Sequence, residues 1–131
     1  MMKEINFYKY NRIFGIIAGL FSFVIFSLTV EPTASYWDCA EYISTSAKLQ
    51  IGHPPGAPLF QMLGAIFSIL AFDVTQIAYA VNMMSVTSSA LTIMLLFWSI
   101  SLIAKEILKV KEIIKVSEAI KIFGSSFLGS I

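Results

Sequence analysis

The sequence predicts an all-α membrane fold, a multi-pass set of transmembrane helices with a juxtamembrane surface helix in the first outer loop. Three observations carry that expectation. Hydrophobic residues make up 57% of the 131 and charged residues only 13%, a balance typical of chains that pass through lipid. The apolar residues come in long uncharged runs rather than scattered. The basic residues gather beside those runs, which leaves no long basic face and excludes a nucleic-acid binder. Residues 1–131 read as one membrane domain, without internal repeat, low-complexity linker or second soluble domain.

The first span is predicted at about residues 13–30, an uncharged stretch that at 1.5 Å per residue nearly matches a hydrocarbon core of roughly 30 Å. Lys3, Lys9 and Arg12 precede it, and Glu31 and Pro32 end it. Basic flanks stay inside, so the N-terminus is expected in the cytoplasm and the loop from 31 to 76 outside. A secretory signal peptide shares the basic start, but Glu31-Pro32-Thr33-Ala34 fits a small-residue cleavage site poorly. A second span is expected at about 77–104, followed by Lys105, Lys109, Lys111, Lys115 and Lys121, the most basic patch in the chain. That patch should also be cytoplasmic, so only one of the two apolar segments between loop and patch can cross. Leu59 to Phe72 is too short, about 14 residues, and is expected as a helix along the outer membrane surface.

Within the second span, Ser85, Thr87, Ser88, Ser89 and Thr92 read as helix-packing hydroxyls. Asn82, near its outer end, is compatible with pointing into a site or with reaching toward the interface. Residues 105–121 alternate Ile, Leu and Val with Lys and Glu in a helical pattern, expected as an amphipathic cytoplasmic connection on anionic lipid. Residues 123–131 turn apolar again and read as the start of a third span, which makes the chain an N-terminal fragment by expectation.

The chemistry-bearing residues lie in the first outer loop. Ser35 followed by Tyr36, Trp37 and Asp38 matches a capping box, so Asp38 has a structural reading at a helix start. Glu41 follows three residues later, which on a helix puts both carboxylates on one face beside Trp37 and Tyr42. Such a pair can hold a divalent cation, or act as acid and base if its surroundings separate the two pKa values. His53-Pro54-Pro55-Gly56-Ala57-Pro58 is a stiff turn, because each proline fixes its own backbone and biases the preceding residue away from helix. His53 alone is a weak metal signal. Cys39, the single cysteine, allows no internal disulfide.

Taken together, Trp37-Asp38 in a first outer loop, then His53-Pro54-Pro55 and a short surface helix, resemble the opening of protein O-mannosyltransferases, within the GT-C class of glycosyltransferases. A closer resemblance runs through Pro32-Thr33, Trp37-Asp38-Cys39-Ala40-Glu41-Tyr42, Lys48-Leu49-Gln50 and Gly52 to Leu59. It is to a family of bacterial multi-pass proteins, long catalogued as a domain of unknown function and related to those mannosyltransferases. The resemblance implies surface helices over a larger helical bundle, a sugar donor on a polyprenyl phosphate, and a protein or glycan hydroxyl as acceptor. It puts Asp38 at the position of the loop aspartate, the expected catalytic base. The acid that directly follows this aspartate in the mannosyltransferases is replaced by Cys39, leaving Glu41 as the nearest acid and a second catalytic candidate. His53, Trp37 and Tyr42 become substrate-binding or loop-orienting candidates, and any metal would sit on Asp38 and Glu41.

The resemblance also implies a bacterial cytoplasmic membrane, with the loop on its outer face. A contrasting expectation treats the chain as a non-catalytic membrane subunit for transport or assembly, or as an inactive fragment, with Asp38, Glu41 and His53 merely holding a loop.

Overall fold

The computed structural model describes residues 4–54 and 56–131. Lys3 of the N-terminal basic flank and Pro55 of the stiff turn lie outside the described residues. The elements in order are β1 (Glu4–Asn6), α1 (Phe7–Thr29), α2 (Cys39–Lys48), α3 (Pro58–Ser68), a 3-10 turn (Val74–Gln76), α4 (Ile77–Ile107), β2 (Ile113–Lys115) and α5 (Val116–Ser130). The fold is mainly helical, as the sequence predicts, with two strands of three residues each among the described residues.

Helices α1 and α4 have 23 and 31 residues, about 35 and 46 Å of helix, each enough to cross a hydrocarbon core. Only 22% of the most apolar window of either is buried, and Leu20, Phe21, Val24 and Leu28 are exposed along α1. A water-soluble core helix would hide such side chains; a lipid-facing one need not. Helix α3 has 11 residues, about 16 Å, roughly half a crossing. It stops at Ser68, short of Phe72, because Leu70 N–H and Ala71 N–H turn back to the carbonyls of Phe67 and Ser68. Asp73 then caps the 3-10 turn, its Oδ1 accepting from Thr75 N–H at 2.8 Å.

The stretch 105–121 differs from the single amphipathic helix its periodicity suggests. Helix α4 ends at Ile107, and Lys109 takes a left-handed backbone with φ 49°. Val110 N–H and Lys109 N–H then close on the carbonyls of Lys105 and Glu106, a Schellman-type stop. Strand β2 pairs antiparallel with β1, with Ile5 opposite Ile114. The β-branched pair Ile113-Ile114 suits a pleated strand, and burial of Ile114 rewards it. Helix α5 therefore begins at Val116 rather than Phe123, with Ala119, Ile122, Phe123 and Ser126 buried at helical spacing.

The chain forms two compact bodies. In the first, residues 4–25 and 89–131, the core is Phe7, Ala18, Phe97, Ile114, Ala119, Ile122 and Phe123. Gly15 and Gly19 let α1 approach α4 closely, since a Cβ on Gly15 would overlap the Trp98 ring and one on Gly19 would lie 3.0 Å from Met94 Cβ. This is the small-xxx-small packing of membrane helices, a spacing legible in Gly15-Ile16-Ile17-Ala18-Gly19. Trp98 Nε1–H donates to the Asn11 carbonyl at 3.1 Å, and Ser101 Oγ–H to Asn11 Oδ1 at 2.6 Å. The second body, residues 26–88, is built on α2 against α3, where Gly64 admits the buried Ser46.

Candidate active site

The site begins where α2 begins. Trp37 has φ 67°, a left-handed conformation that costs a bulky residue energy and breaks any helix started at Ser35. The capping box expected from Ser35 and Asp38 consequently does not form. The first helical residue is Cys39, and Asp38 falls at the cap position with φ −76° and ψ 2° and no side-chain cap bond. Its carboxylate is therefore not occupied in closing the helix end. Glu41 lies one turn on, and both carboxylates face the turn that precedes α3.

His53 is brought to them from that turn. Its backbone N–H donates to Glu41 Oε1 at 2.7 Å, and its Nδ1 lies 2.7 Å from Glu41 Oε2. Its Nε2 lies 3.9 Å from Asp38 Oδ2. The three side chains are 39 to 49% exposed, open enough to meet a substrate. The hydrogen bonds from His53 lower the Glu41 pKa, first the backbone bond and then the ring bond. The same contact raises the His53 pKa, with the Glu41 hydrogen bond leading, its charge next, and Asp38 adding less. Both shifts favour an ion pair, imidazolium on carboxylate.

The surrounding residues explain why the turn closes here. A Cβ on Gly52 would lie 3.0 Å from Glu41 Oε1 and 3.3 Å from Gln61 Nε2, so only glycine lets the backbone reach Glu41 without displacing a neighbour. Gly56 takes φ 74°, its N–H bonded to the His53 carbonyl at 2.9 Å, and Pro58 starts α3 at a position where its missing N–H is harmless. Gln61, buried on α3, donates to Thr45 Oγ1 at 3.3 Å, and Thr45 in turn donates to the Glu41 carbonyl at 2.8 Å. Gln61 and Thr45 were not among the predicted site residues. The available signal was a lone amide in the otherwise apolar run from Leu59 to Phe67.

Tyr42 packs edge-on against Phe60, ring centres 5.4 Å apart, so of the two aromatic candidates it joins the scaffold. Trp37 instead projects outward, 91% exposed. A cavity of about 450 Å³ is lined by residues including Cys39, Tyr42, Ile43, Phe60, Asn82 and Ser85, and by none of Asp38, Glu41 and His53. Asn82 Nδ2–H donates to the carbonyls of Glu31 and Thr33 at 2.8 and 3.0 Å, which ties the loop after α1 to the start of α4. Its role is that tether. Thr87 Oγ1–H bonds the Met83 carbonyl of its own helix.

One ligand atom each from Asp38, Glu41 and His53 falls within 4.8 Å of the others, compatible in size with one divalent cation. Asp38 and His53 would hold such an ion, with Glu41 supporting the imidazole through Nδ1.

Two membrane-length apolar helices, joined by a polar segment that carries an acid–acid–histidine cluster, mark a helical membrane protein. The family model described as "Protein O-mannosyl-transferase TMEM260 N-terminal domain" matches residues 38–131, and the chain belongs to that family. Among similar proteins, protein O-mannosyl-transferase tmem260 of Dictyostelium discoideum is 38% identical over 63 residues, covering 47% of this chain and 8% of that protein. Protein O-mannosyl-transferase TMEM260 of Mus musculus is 33% identical over 76 residues, covering 58% of this chain and 11% of that protein. The matched part is thus about a tenth of either relative's length. No solved structure matches.

Proposed function

We propose that this chain is the N-terminal part of a membrane glycosyltransferase that moves a sugar from a polyprenyl-phosphate donor to a protein or glycan hydroxyl. The reaction would take place on the outer face of a bacterial cytoplasmic membrane. The names of the relatives support O-mannosyl transfer, and the basic flanks of both spans support a cytoplasmic N-terminus.

The observation that carries the division of labour is that Glu41 has both carboxylate oxygens on His53, whereas the Asp38 carboxylate accepts no hydrogen bond among the described residues. Asp38 is then the base. Its carboxylate takes the proton of the acceptor hydroxyl as that oxygen bonds to the anomeric carbon. The bond from that carbon to the phosphate oxygen breaks, and its electron pair leaves with the lipid phosphate. Asp38 ends protonated and returns the proton to water. General-base assistance of this kind is worth about 10² to 10⁴ in rate. Glu41 and His53 position the loop that presents Asp38, which replaces the expectation of Glu41 as a second acid.

The test is Asp38→Asn in the full-length protein, assayed by transfer of labelled sugar from a polyprenyl-phosphate donor. Transfer should fall by about 10² to 10⁴ with the protein still in the membrane. Undiminished transfer removes Asp38 from the mechanism.

A further inference from the structure

We propose that the body containing β1, β2 and α5 carries a site for the phosphate of an anionic phospholipid headgroup, formed by Lys109, Lys111 and Lys115. These lysines surround a hollow of about 250 Å³ whose lining also includes Glu4 and Glu118. The hollow is smaller than a typical drug-sized pocket of roughly 300 to 1,000 Å³, so it suits a compact group such as a phosphate with its first substituent.

The scaffold is fixed before any ligand arrives. Lys109 sits at the left-handed residue that stops α4, and Lys115 is in β2, opposite Glu4. The segment between them is held by Phe7 N–H on the Glu112 carbonyl at 2.8 Å and by Asn6 Nδ2–H on Glu112 Oε1 at 3.1 Å. A mobile basic tail would have to be ordered on binding; this one is already paired into a sheet.

The hollow keeps an excess of positive charge. Three ammonium groups face two carboxylates around the hollow, and among the described residues none of the three lies within 4.0 Å of a carboxylate. Glu112, between Lys111 and the strand, already accepts from Asn6. The ion pair of this body is Lys105 with Glu106 at 3.6 Å, outside the hollow.

Its position selects the ligand. The sheet joins the start of α1 to the segment leaving α4, so the hollow lies at the ends of two membrane-length helices, where headgroup phosphates are. Lys105 marks the same level, its Nζ 5.1 Å from the Tyr8 ring centre and 5.9 Å from that of Phe7. A basic side chain near an anionic leaflet is worth about 1 kcal/mol, roughly fivefold in binding, so removing all three lysines should weaken binding by roughly a hundredfold.

The full chain, purified in detergent and titrated with phosphatidylglycerol or phosphatidylcholine under native mass spectrometry at low salt, tests this. Phosphatidylglycerol should be retained over phosphatidylcholine, and K109Q/K111Q/K115Q should weaken its retention by roughly a hundredfold, while K48Q leaves it unchanged. Equal retention of the two lipids, or wild-type retention by the triple variant, overturns the site. Displacement of the lipid by equimolar inorganic phosphate overturns the headgroup assignment in favour of a soluble anion. If the triple variant loses its helical circular dichroism, the three single variants replace it, each expected to lose roughly fivefold; no loss in any of them overturns the proposal.

Discussion

Glu41 grips His53 with both carboxylate oxygens, each at 2.7 Å, one on the backbone nitrogen and one on Nδ1. A single side chain on α2 thereby fixes both the path of the turn before α3 and the orientation of an imidazole whose far nitrogen faces Asp38. On the proposed mechanism Glu41 and His53 position the loop, and they should behave differently from Asp38.

Glu41→Gln should lower sugar transfer by less than Asp38→Asn and should raise backbone amide exchange at Gly52 and His53. Gly52→Ala should reproduce both effects, because its Cβ would press on Glu41 Oε1. Combining Glu41→Gln with Gly52→Ala should cost little beyond either alone, since both break one contact. Additive losses in transfer would show that Glu41 acts on the substrate directly.

The contact should also have a pH window. His53 has a raised pKa, so its contribution is complete below its ordinary value of 6.5 and is lost as pH rises through the raised one. Glu41 has a lowered pKa, so its contribution is complete above its ordinary 4.5 and is lost as pH falls through the lowered one. The ion pair is therefore strongest from 4.5 to 6.5 and erodes on both sides. NMR titration of the His53 ring should give a midpoint above 6.5 that moves down toward 6.5 in Glu41→Gln. An unchanged midpoint would rule out the pairing in solution.

Packing between α2 and α3 turns on Gly64 and Ser46. A Cβ on Gly64 would lie 2.7 Å from Ser46 Oγ and 2.8 Å from its Cβ, so Gly64→Ala should destabilise by about 1 to 3 kcal/mol. Ser46 Oγ is buried with no hydrogen-bond partner among the described residues, so Ser46→Ala should be stabilising by about 1 kcal/mol. Thermal melts in one detergent check both, and a destabilised Ser46→Ala would mean the hydroxyl has a partner after all.

Gly15 should tolerate nothing larger. Gly15→Ala would push the Trp98 ring aside and break its bond to the Asn11 carbonyl, at a cost of about 1 to 3 kcal/mol. Gly19→Ala should cost less, because its Cβ would lie 3.0 Å from Met94 Cβ, a much smaller overlap than the one with the Trp98 ring. A lowered melting temperature with shifted Trp fluorescence in Gly15→Ala, and a smaller change in Gly19→Ala, would verify the close approach of α1 and α4.

Much of this was legible from residue order alone. Uncharged runs of membrane length announce α1 and α4, and Pro32, Pro54 and Pro58 punctuate the chain close to where elements end or start. Asp38 and Glu41 stood out because their spacing puts both carboxylates on one helix face, and His53 because it opens the His-Pro-Pro turn that carries the resemblance. Their roles did not stand out. The spacing of Asp38 and Glu41 is compatible with an acid–base pair, and only the turn that delivers His53 shows that Glu41 is already engaged.

The 105–121 region shows the same limit. Its periodicity is helical, but three residues of it form a strand because β1, more than a hundred positions away, offers the partner and Ile114 gains a core. By itself, then, the sequence determined the helical class, the two membrane-length spans and the loop that carries the polar cluster. The tertiary structure decided which side chains meet: Glu41 with His53, Gly15 with Trp98, Gly64 with Ser46, and Glu4 with Lys115 across the sheet. Hydrophobicity and backbone preference are properties of neighbouring residues, whereas these contacts join residues 12 to more than 100 positions apart and exist only once the chain has folded.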